Sequence, residues 1–201
     1  MNIHLKNFIF LTDKELNQLA IITSKEEIMK YIASGKPYSK KDLLQFKKDE
    51  FQQNKLKLEN RKFWTYAVML DKDVVGMFVL YKINLARYNL KPIAHSKLTR
   101  KTTGKLYNKT KKTMKNNNQA VTIATRILID TEQQGKGISV IVYNLAKQMI
   151  KKQKNKKPLC LISFVADDNI PGNKLQVKAE FELFATSNEK GHKYNVYRWY
   201  A

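Results

Sequence analysis

A short glycine loop between a predicted strand and a predicted helix constrains the fold more than any other stretch of this chain. The strand is the apolar, β-branched run from Val121 to Ile129, which predicts a buried strand. The loop has the sequence QGKGIS, residues 134–139. Apolar residues then recur at helical spacing as far as Lys152, which predicts a helix with one face packed against a sheet.

The loop has the properties of an anion site. Two glycines where a helix begins let the backbone approach a ligand closely, and the first N–H groups of a helix have no partner within it. The positive end of the helix dipole and the charge of Lys136 favour a phosphate. The GxxxxGK[ST] loop is absent, and the dinucleotide fingerprint needs a third glycine. A tight strand-to-helix connection without a ligand is the alternative interpretation.

The loop resembles the Q/R-x-x-G-x-G/A loop of the GNAT (GCN5-related) N-acetyltransferases, which holds the pyrophosphate of acetyl-CoA. Ser139 stands where that family usually has glycine or alanine. A second segment, from Asn169 through Leu175 to Phe181, resembles the family segment N-x(n)-A/S-x-x-L-Y-x-K-x-G-F. Glu180 occupies the position of its glycine.

The order of predicted elements also resembles the GNAT fold. A first strand over 3–11 precedes three helical segments: one after Thr12 or Asp13, one with a Ser24–Glu27 capping box, and one over 41–60. A hairpin follows, with strands over 63–70 and 74–83, and Gly76 predicts a bulge or a close approach. After the central unit come a strand over 159–165, a short helix, and two strands over 181–186 and 194–200.

We therefore expect an α/β protein with the GNAT fold, in a single domain over 1–201. The resemblance implies a mixed, mostly antiparallel sheet of about six or seven strands flanked by helices. A basic insertion, residues 84–120, precedes the central strand. It contains ten Lys or Arg residues and no acidic residue. Its first part could form a small hairpin around Gly104.

The net charge is +21, and 33 of the 38 basic residues are lysine, since arginine occurs only five times. Phosphate and base recognition favour arginine, so the lysine excess is typical of a compositional bias. The alternative is that residues 84–120 form a basic arm that brings nucleic acid or an acidic protein to the site.

Cys160 is the only cysteine and lies in an apolar run, which excludes an internal disulfide and indicates a reducing compartment. No window approaches the roughly 20 apolar residues of a membrane span. The apolar patch over 8–11 is too short for the core of a signal peptide. We expect a soluble, cytoplasmic protein without a membrane partner.

The resemblance implies acetyl-CoA, or another acyl-CoA, as co-substrate. Backbone groups of the central strand would meet the pantetheine amides, the glycine loop would hold the pyrophosphate, and an asparagine would contact the lower arm of the cofactor. The implied cofactor-binding residues are Ile127, Leu128, Ile129, Gln134, Gly135, Lys136, Gly137, Ile138, Ser139 and Asn169. We expect no metal, since His4, His95 and His192 lack ligand spacing.

The sequence does not identify the catalytic acid or base. The central strand contains no carboxylate, and Asp130 lies at its end. Gln176 stands where many family members have a catalytic tyrosine, and Tyr143, Tyr194 and Tyr197 are alternative phenols. The resemblance predicts an acetyl-CoA-dependent N-acetyltransferase with an unidentified amine acceptor. The alternative function is a nucleic-acid-binding or nucleic-acid-modifying protein on the same scaffold.

Overall fold

The computed structural model describes residues 1–31, 36–57, 60–93, 121–152, 159–189 and 191–201. Eight strands form one sheet, and they are β1 (Ile3–Asn7), β2 (Phe63–Leu70), β3 (Asp73–Lys82), β4 (Leu90–Pro92), β5 (Val121–Ile129), β6 (Leu159–Ala166), β7 (Glu182–Glu189) and β8 (His192–Tyr200). Their order across the sheet is β1-β2-β3-β5-β6-β8-β7-β4. Only the β5–β6 pair among these strands is parallel, which confirms the predicted mixed, mostly antiparallel sheet.

The predicted count of six or seven strands was too low by the short strand β4. This strand lies within the segment over 84–120 that the sequence left as an insertion, and it pairs with β7 at the sheet edge. Three residues are too few to show a two-residue hydrophobic alternation, and Pro92 is tolerated because it lies on an edge strand. The small hairpin predicted around Gly104 lies outside the described residues.

Within the described ranges five helices flank the sheet, and they are α1 (Asp13–Thr23), α2 (Glu26–Met29), α3 (Lys40–Asn54), α4 (Ile138–Lys152) and α5 (Ile170–Lys178). Capping boxes start two of them: Thr12 with Glu15 before α1, and Ser39 with Asp42 before α3. The capping box predicted at Ser24 and Glu27 was wrong. The Ser24 hydroxyl donates back to a carbonyl of α1, and α2 begins without a side-chain cap.

Several element boundaries in the structure also differ from the predicted ones. The first strand ends at Asn7, because the Asn7 side chain accepts from the Ile9 N–H and starts a 3₁₀ turn over Phe8–Phe10. Helix α3 ends at Asn54 rather than near residue 60. Strands β7 and β8 extend to Glu189 and His192, further into the hairpin turn than predicted. None of the described helices is long and apolar enough to cross a membrane.

The two faces of the sheet carry separate hydrophobic cores, because side chains alternate along each strand. Helix α4 covers one face through Val142, Ala146 and Ile150, packed on residues such as Phe78 and Leu161. Helices α1, α2 and α3 cover the opposite face, on a core that includes Leu128; we call this the α1–α3 face. A third cluster, which includes Ile162, packs against residues 83–90.

The structure confirms both features predicted at Gly76, a bulge and a close approach of the backbone. The register between β2 and β3 shifts at Val68/Met69, opposite Gly76. A Cβ on Gly76 would lie 2.1 Å from the Leu128 carbonyl oxygen. The close approach of β3 to β5 at this point therefore requires glycine.

Candidate functional site

A gap opens between the two parallel strands at the centre of the sheet. Strands β5 and β6 pair only from Val121↔Leu159 to Ala124↔Ile162. Beyond that point β5 continues along β3 as far as Ile129, and β6 continues along β8. The two central strands thus share no ladder over their last residues, and the edges that face each other there are open.

Backbone hydrogen bonds show which residues of β5 face this gap. The Asp130 N–H donates to Val75 and the Thr122 carbonyl accepts from Ile83, so even-numbered residues direct their backbone groups toward β3. Ile127 and Ile129 therefore direct theirs toward the gap. Leu128 does not, because its backbone faces β3 and its side chain is buried beneath α1.

The glycine loop bridges the end of β5 and the start of α4. Gly135 and Gly137 both have φ of +78°, and a Cβ on either would contact nothing within 4 Å. The left-handed backbone conformation, and not lack of space, is therefore what requires glycine here. The Gly137 carbonyl accepts the first helical hydrogen bonds, from the N–H groups of Val140 and Ile141.

Five consecutive backbone donors result from this turn, the N–H groups of residues 135–139. Within the described residues none of them donates to a protein acceptor. They lie at the positive end of a 15-residue helix. Such a row of unpaired donors at a helix start is suited to bind several oxygen atoms of a phosphate group.

Side chains at the two ends of the loop fix its position. The Gln134 side-chain amide donates to the Ile129 carbonyl at 3.1 Å, so it joins the loop to the strand end beside the gap. Lys136 is exposed, and its ammonium lies 2.9 Å from the Gln133 side-chain oxygen. Lys136 has no carboxylate within 4.0 Å among the described residues, so its charge is available to an anion at the loop.

Asn169 begins α5 on the far side of the gap. Its side-chain oxygen accepts from the Gly172 N–H at 2.9 Å, so it is the helix N-cap. Asn173, one turn on, donates to the carbonyls of Ala166 and Asn169 and accepts from Tyr197. These bonds anchor the start of α5 to the ends of β6 and β8.

A chain of polar side chains crosses the core where the gap begins. The Gln176 amide nitrogen lies 3.1 Å from the Tyr143 hydroxyl, which lies 3.3 Å from the Thr125 hydroxyl. Thr125 in turn donates to the Ile162 carbonyl, in the last β5–β6 pair. All three side chains are buried, and the Gln176 side-chain oxygen has no partner among the described residues.

Two further candidates for acid and base, Asp130 and Tyr197, are engaged elsewhere. Asp130 lies 2.6 Å from the Lys25 ammonium, and this hydrogen bond raises the pKa of Lys25. Tyr197 donates to Asn173, and burial raises the pKa of its phenol. Burial also raises the pKa of the Cys160 thiol to about 12, so that thiol has no nucleophilic form near neutral pH.

The structure also gives roles to two residues of β5 that the sequence interpretation passed over. Thr125 joins the buried polar chain, and Arg126 lies on the opposite face of the same strand. Both interrupt an otherwise apolar run. A polar residue inside a buried strand is a signal that the sequence already contained.

Comparison with known proteins supports the fold through structure and not through sequence. No protein-family model matches this sequence, and no curated protein matches it. Among solved structures, the chain is similar to RimL, a ribosomal L7/L12 alpha-N-protein acetyltransferase in complex with coenzyme A. The TM-score is 0.64 at 11% identity, over 100% of this chain and 94% of that one.

Two further solved structures match to a similar extent. A GNAT-family acetyltransferase from Bacillus anthracis has a TM-score of 0.63 at 12% identity, over 100% of this chain and 95% of that one. Spermidine N-acetyltransferase from Vibrio cholerae, in complex with CoA and spermine, has a TM-score of 0.60 at 14% identity, over 98% and 95%. This chain therefore has the fold of the GNAT acetyltransferases, which confirms the predicted fold class.

Proposed function

We propose that this protein is an N-acetyltransferase of the GNAT type, which transfers an acyl group from acetyl-CoA to an amine. The observation that carries the proposal is the row of unpaired N–H donors at residues 135–139, next to the gap between β5 and β6. The first feature suits a pyrophosphate, and the second offers open backbone edges to an amide-bearing chain. CoA contains both groups, joined to its thiol.

In this proposal the backbone of the loop holds the pyrophosphate and Lys136 adds a neutralising charge. The backbone groups of Ile127 and Ile129 pair with the pantetheine amides across the gap, and Asn169 lies beside the lower arm. The proposed contacts are Ile127, Ile129, Gln134, Gly135, Lys136, Gly137, Ile138, Ser139 and Asn169. Leu128 leaves the predicted set, because its backbone and side chain are used within the fold.

The reaction requires an unprotonated amine to attack the thioester carbonyl and a proton to reach the departing thiolate. The paired length of β5 carries no carboxylate, and Asp130 is engaged by Lys25. We therefore assign the chain's contribution to orientation, which by itself lowers the barrier of a two-substrate reaction by several kcal/mol. In this proposal water accepts the proton that the attacking amine loses and returns a proton to the departing thiolate, which leaves as the CoA thiol.

Calorimetry with acetyl-CoA tests the proposal. We expect binding by the parent protein and its loss when Gly135 and Gly137 are both changed to valine, because valine cannot adopt their backbone conformation without strain. Gly191→Val is the matched control, since Gly191 has φ of +83° in the β7–β8 turn. Absence of binding in the parent, or unchanged binding in the double variant, would overturn the proposal.

The alternative function, nucleic-acid binding through residues 84–120, rests on the charge alone. Most of that segment lies outside the described residues. This alternative function predicts an affinity for DNA or RNA that falls steeply with added salt and that is lost when residues 97–115 are deleted. A gel-shift series at rising salt concentration, with the deletion variant beside the parent, measures both.

A further inference from the structure

One charged side chain near the gap is not used by the proposed cofactor site. Arg126 belongs to β5, and the alternation along the strand places it on the α1–α3 face with Leu128. Helix α4 and the partner residues of its core lie on the other face. Arg126 is thus on the opposite side of the sheet from the helix whose start is assigned to the pyrophosphate.

Arg126 lies in neither of the two hydrophobic clusters of this face. Leu128 belongs to the cluster under α1–α3, and Ile162 belongs to the cluster under residues 83–90. Tyr88, which lies within residues 83–90, packs on Phe164, with ring centroids 4.8 Å apart. Arg126 lies two residues beyond Ala124, the last residue of β5 that pairs with β6, so it is beside the point where the two strands separate.

Tyr81 is both the aromatic neighbour and a hydrogen-bond partner of the guanidinium, which has no counter-ion among the described residues. Its carbon lies 5.9 Å from the centre of the Tyr81 ring on β3. Burial raises the pKa of the Tyr81 phenol, so this phenol stays neutral and does not balance the charge. No carboxylate of the described residues lies within 4.0 Å of Arg126, whereas Glu15, Glu50 and Asp130 each pair with a cation.

A half-buried guanidinium that has no counter-ion among the described residues is free to pair with an anionic group of a ligand. Its planar fork of donors matches a carboxylate in two parallel hydrogen bonds. The cofactor's pyrophosphate is assigned to the other face, at the far end of β5. The group that can reach Arg126 through the gap is the second substrate.

We propose, resting on the proposed function, that the acceptor is an amine that also carries a carboxylate, which Arg126 binds. The amine then approaches the thioester from the α1–α3 face while the cofactor's phosphates lie at the start of α4. The net charge of +21 acts in the same direction, because it attracts anionic substrates and repels polyamines. The acceptor class therefore differs from the spermine seen with the Vibrio cholerae enzyme.

Acetyl transfer to matched acceptors tests this assignment. The probes are the peptide amides Ala-Asp-Glu-Gly and Ala-Lys-Lys-Gly, free aspartate, and spermine, each supplied with acetyl-CoA. We expect kcat/KM for the acidic peptide to exceed that for the lysine peptide and for spermine at least tenfold. If free aspartate is acetylated as efficiently as the acidic peptide, the acceptor is a small molecule. If aspartate is acetylated poorly, the acceptor is a peptide. Both outcomes support the carboxylate requirement.

Arg126→Gln should lower kcat/KM for the acidic peptide at least tenfold and leave the lysine peptide unchanged. Arg126→Lys should retain part of the preference, because it keeps the charge without the fork. Acetyl-CoA affinity and thermal midpoint, measured on the same variants, should not change, which excludes a structural effect.

Equal or better use of spermine or the lysine peptide by the parent would overturn the assignment. An unchanged acidic preference in Arg126→Gln would do so as well. If no peptide is acetylated, calorimetry of the acidic peptide in the presence of CoA decides, and absence of Arg126-dependent binding counts against the inference. Failure of the proposed function differs from all of these, since acetyl-CoA itself would not bind.

Discussion

At the scale of single residues, Glu180 shows how the chain departs from the family pattern at a structural cost. It follows α5 with φ of +57°, a left-handed conformation that glycine adopts freely. The resemblance placed glycine at this position, and the structure shows why glycine is favoured there. The glutamate side chain is exposed, and among the described residues it forms an ion pair with Lys147 at 3.5 Å.

Glu180→Gly should therefore stabilise the protein by about 1 kcal/mol, because it removes the strain of a left-handed residue that has a Cβ. This gain corresponds to a rise of about 3 °C in the thermal midpoint, which calorimetry or circular dichroism can follow. Glu180→Ala is the control, since it removes the same carboxylate and keeps the Cβ. A rise in the alanine variant equal to that of the glycine variant would attribute the effect to charge instead.

A second residue-scale prediction concerns the capping box of α1. Burial acts to raise the pKa of Glu15, but hydrogen bonds from Lys6 and Thr12 outweigh it, and the pKa lies below its ordinary value of 4.5. A lowered carboxylate pKa stabilises the folded state above pH 4.5. This stabilisation is lost as the pH falls through the folded-state pKa.

Glu15→Gln should cost about 1 kcal/mol of unfolding free energy at pH 7. The difference from the parent should shrink as the pH falls through the folded-state pKa, because the carboxylate is then protonated in both states. Urea unfolding at a series of pH values from 7 downward measures this. Asp13→Asn, in the same helical turn but outside the capping box, serves as the comparison, and a difference independent of pH would contradict the assignment.

At the scale of elements, the buried chain of Gln176, Tyr143 and Thr125 joins three elements at the base of the gap. It links α5 to α4 and α4 to β5, and it ends on the Ile162 carbonyl of β6. Its members lie far apart in the sequence. The width of the gap depends on the spacing of these elements. The three hydrogen-bonded side chains therefore fix the position of the proposed thioester site.

A double-mutant cycle measures this link. Tyr143→Phe leaves the Gln176 amide buried without its Tyr143 partner, while Thr125 keeps its bond to the Ile162 carbonyl, at an expected cost of about 2 kcal/mol. Gln176→Leu should cost about the same, because it removes the partner of the Tyr143 hydroxyl. Since both variants break one contact, we expect the double variant to cost less than the sum by about 1 kcal/mol. Strict additivity in urea unfolding would show that the two side chains are independent.

At the scale of the whole molecule, the formal charge of +21 surrounds a site proposed to take the polyanion CoA. Long-range attraction raises association rates of oppositely charged ligands and is screened by salt. We expect the association rate of acetyl-CoA to fall about tenfold between low salt and 0.5 M NaCl. Stopped-flow measurement follows it, and dephospho-CoA, which lacks one phosphate, should show a weaker dependence. An association rate that does not change with salt concentration would exclude electrostatic steering by the net charge.

The hydrophobic pattern predicted most of the elements, because burial of alternating residues depends on local sequence. The strand over 121–129, the hairpin around residues 71–73 and the glycine turn all follow from this pattern and from backbone conformation. The hydrophobic pattern did not predict the shortest elements. Strand β4 is too short for a period, and the start of α2 depends on the packing of Ile28 and Met29 and not on a cap.

The sequence by itself determined the fold class and the glycine turn before α4, since both depend on residues that are neighbours in the chain. Only the tertiary structure decided which edge of β5 is open, because that depends on where its ladder with β6 ends. It also showed that Tyr143 meets Gln176 from another helix and that Arg126, on the opposite face, has no counter-ion within the described part of the chain. Contacts between residues distant in the chain form only when the sheet is assembled.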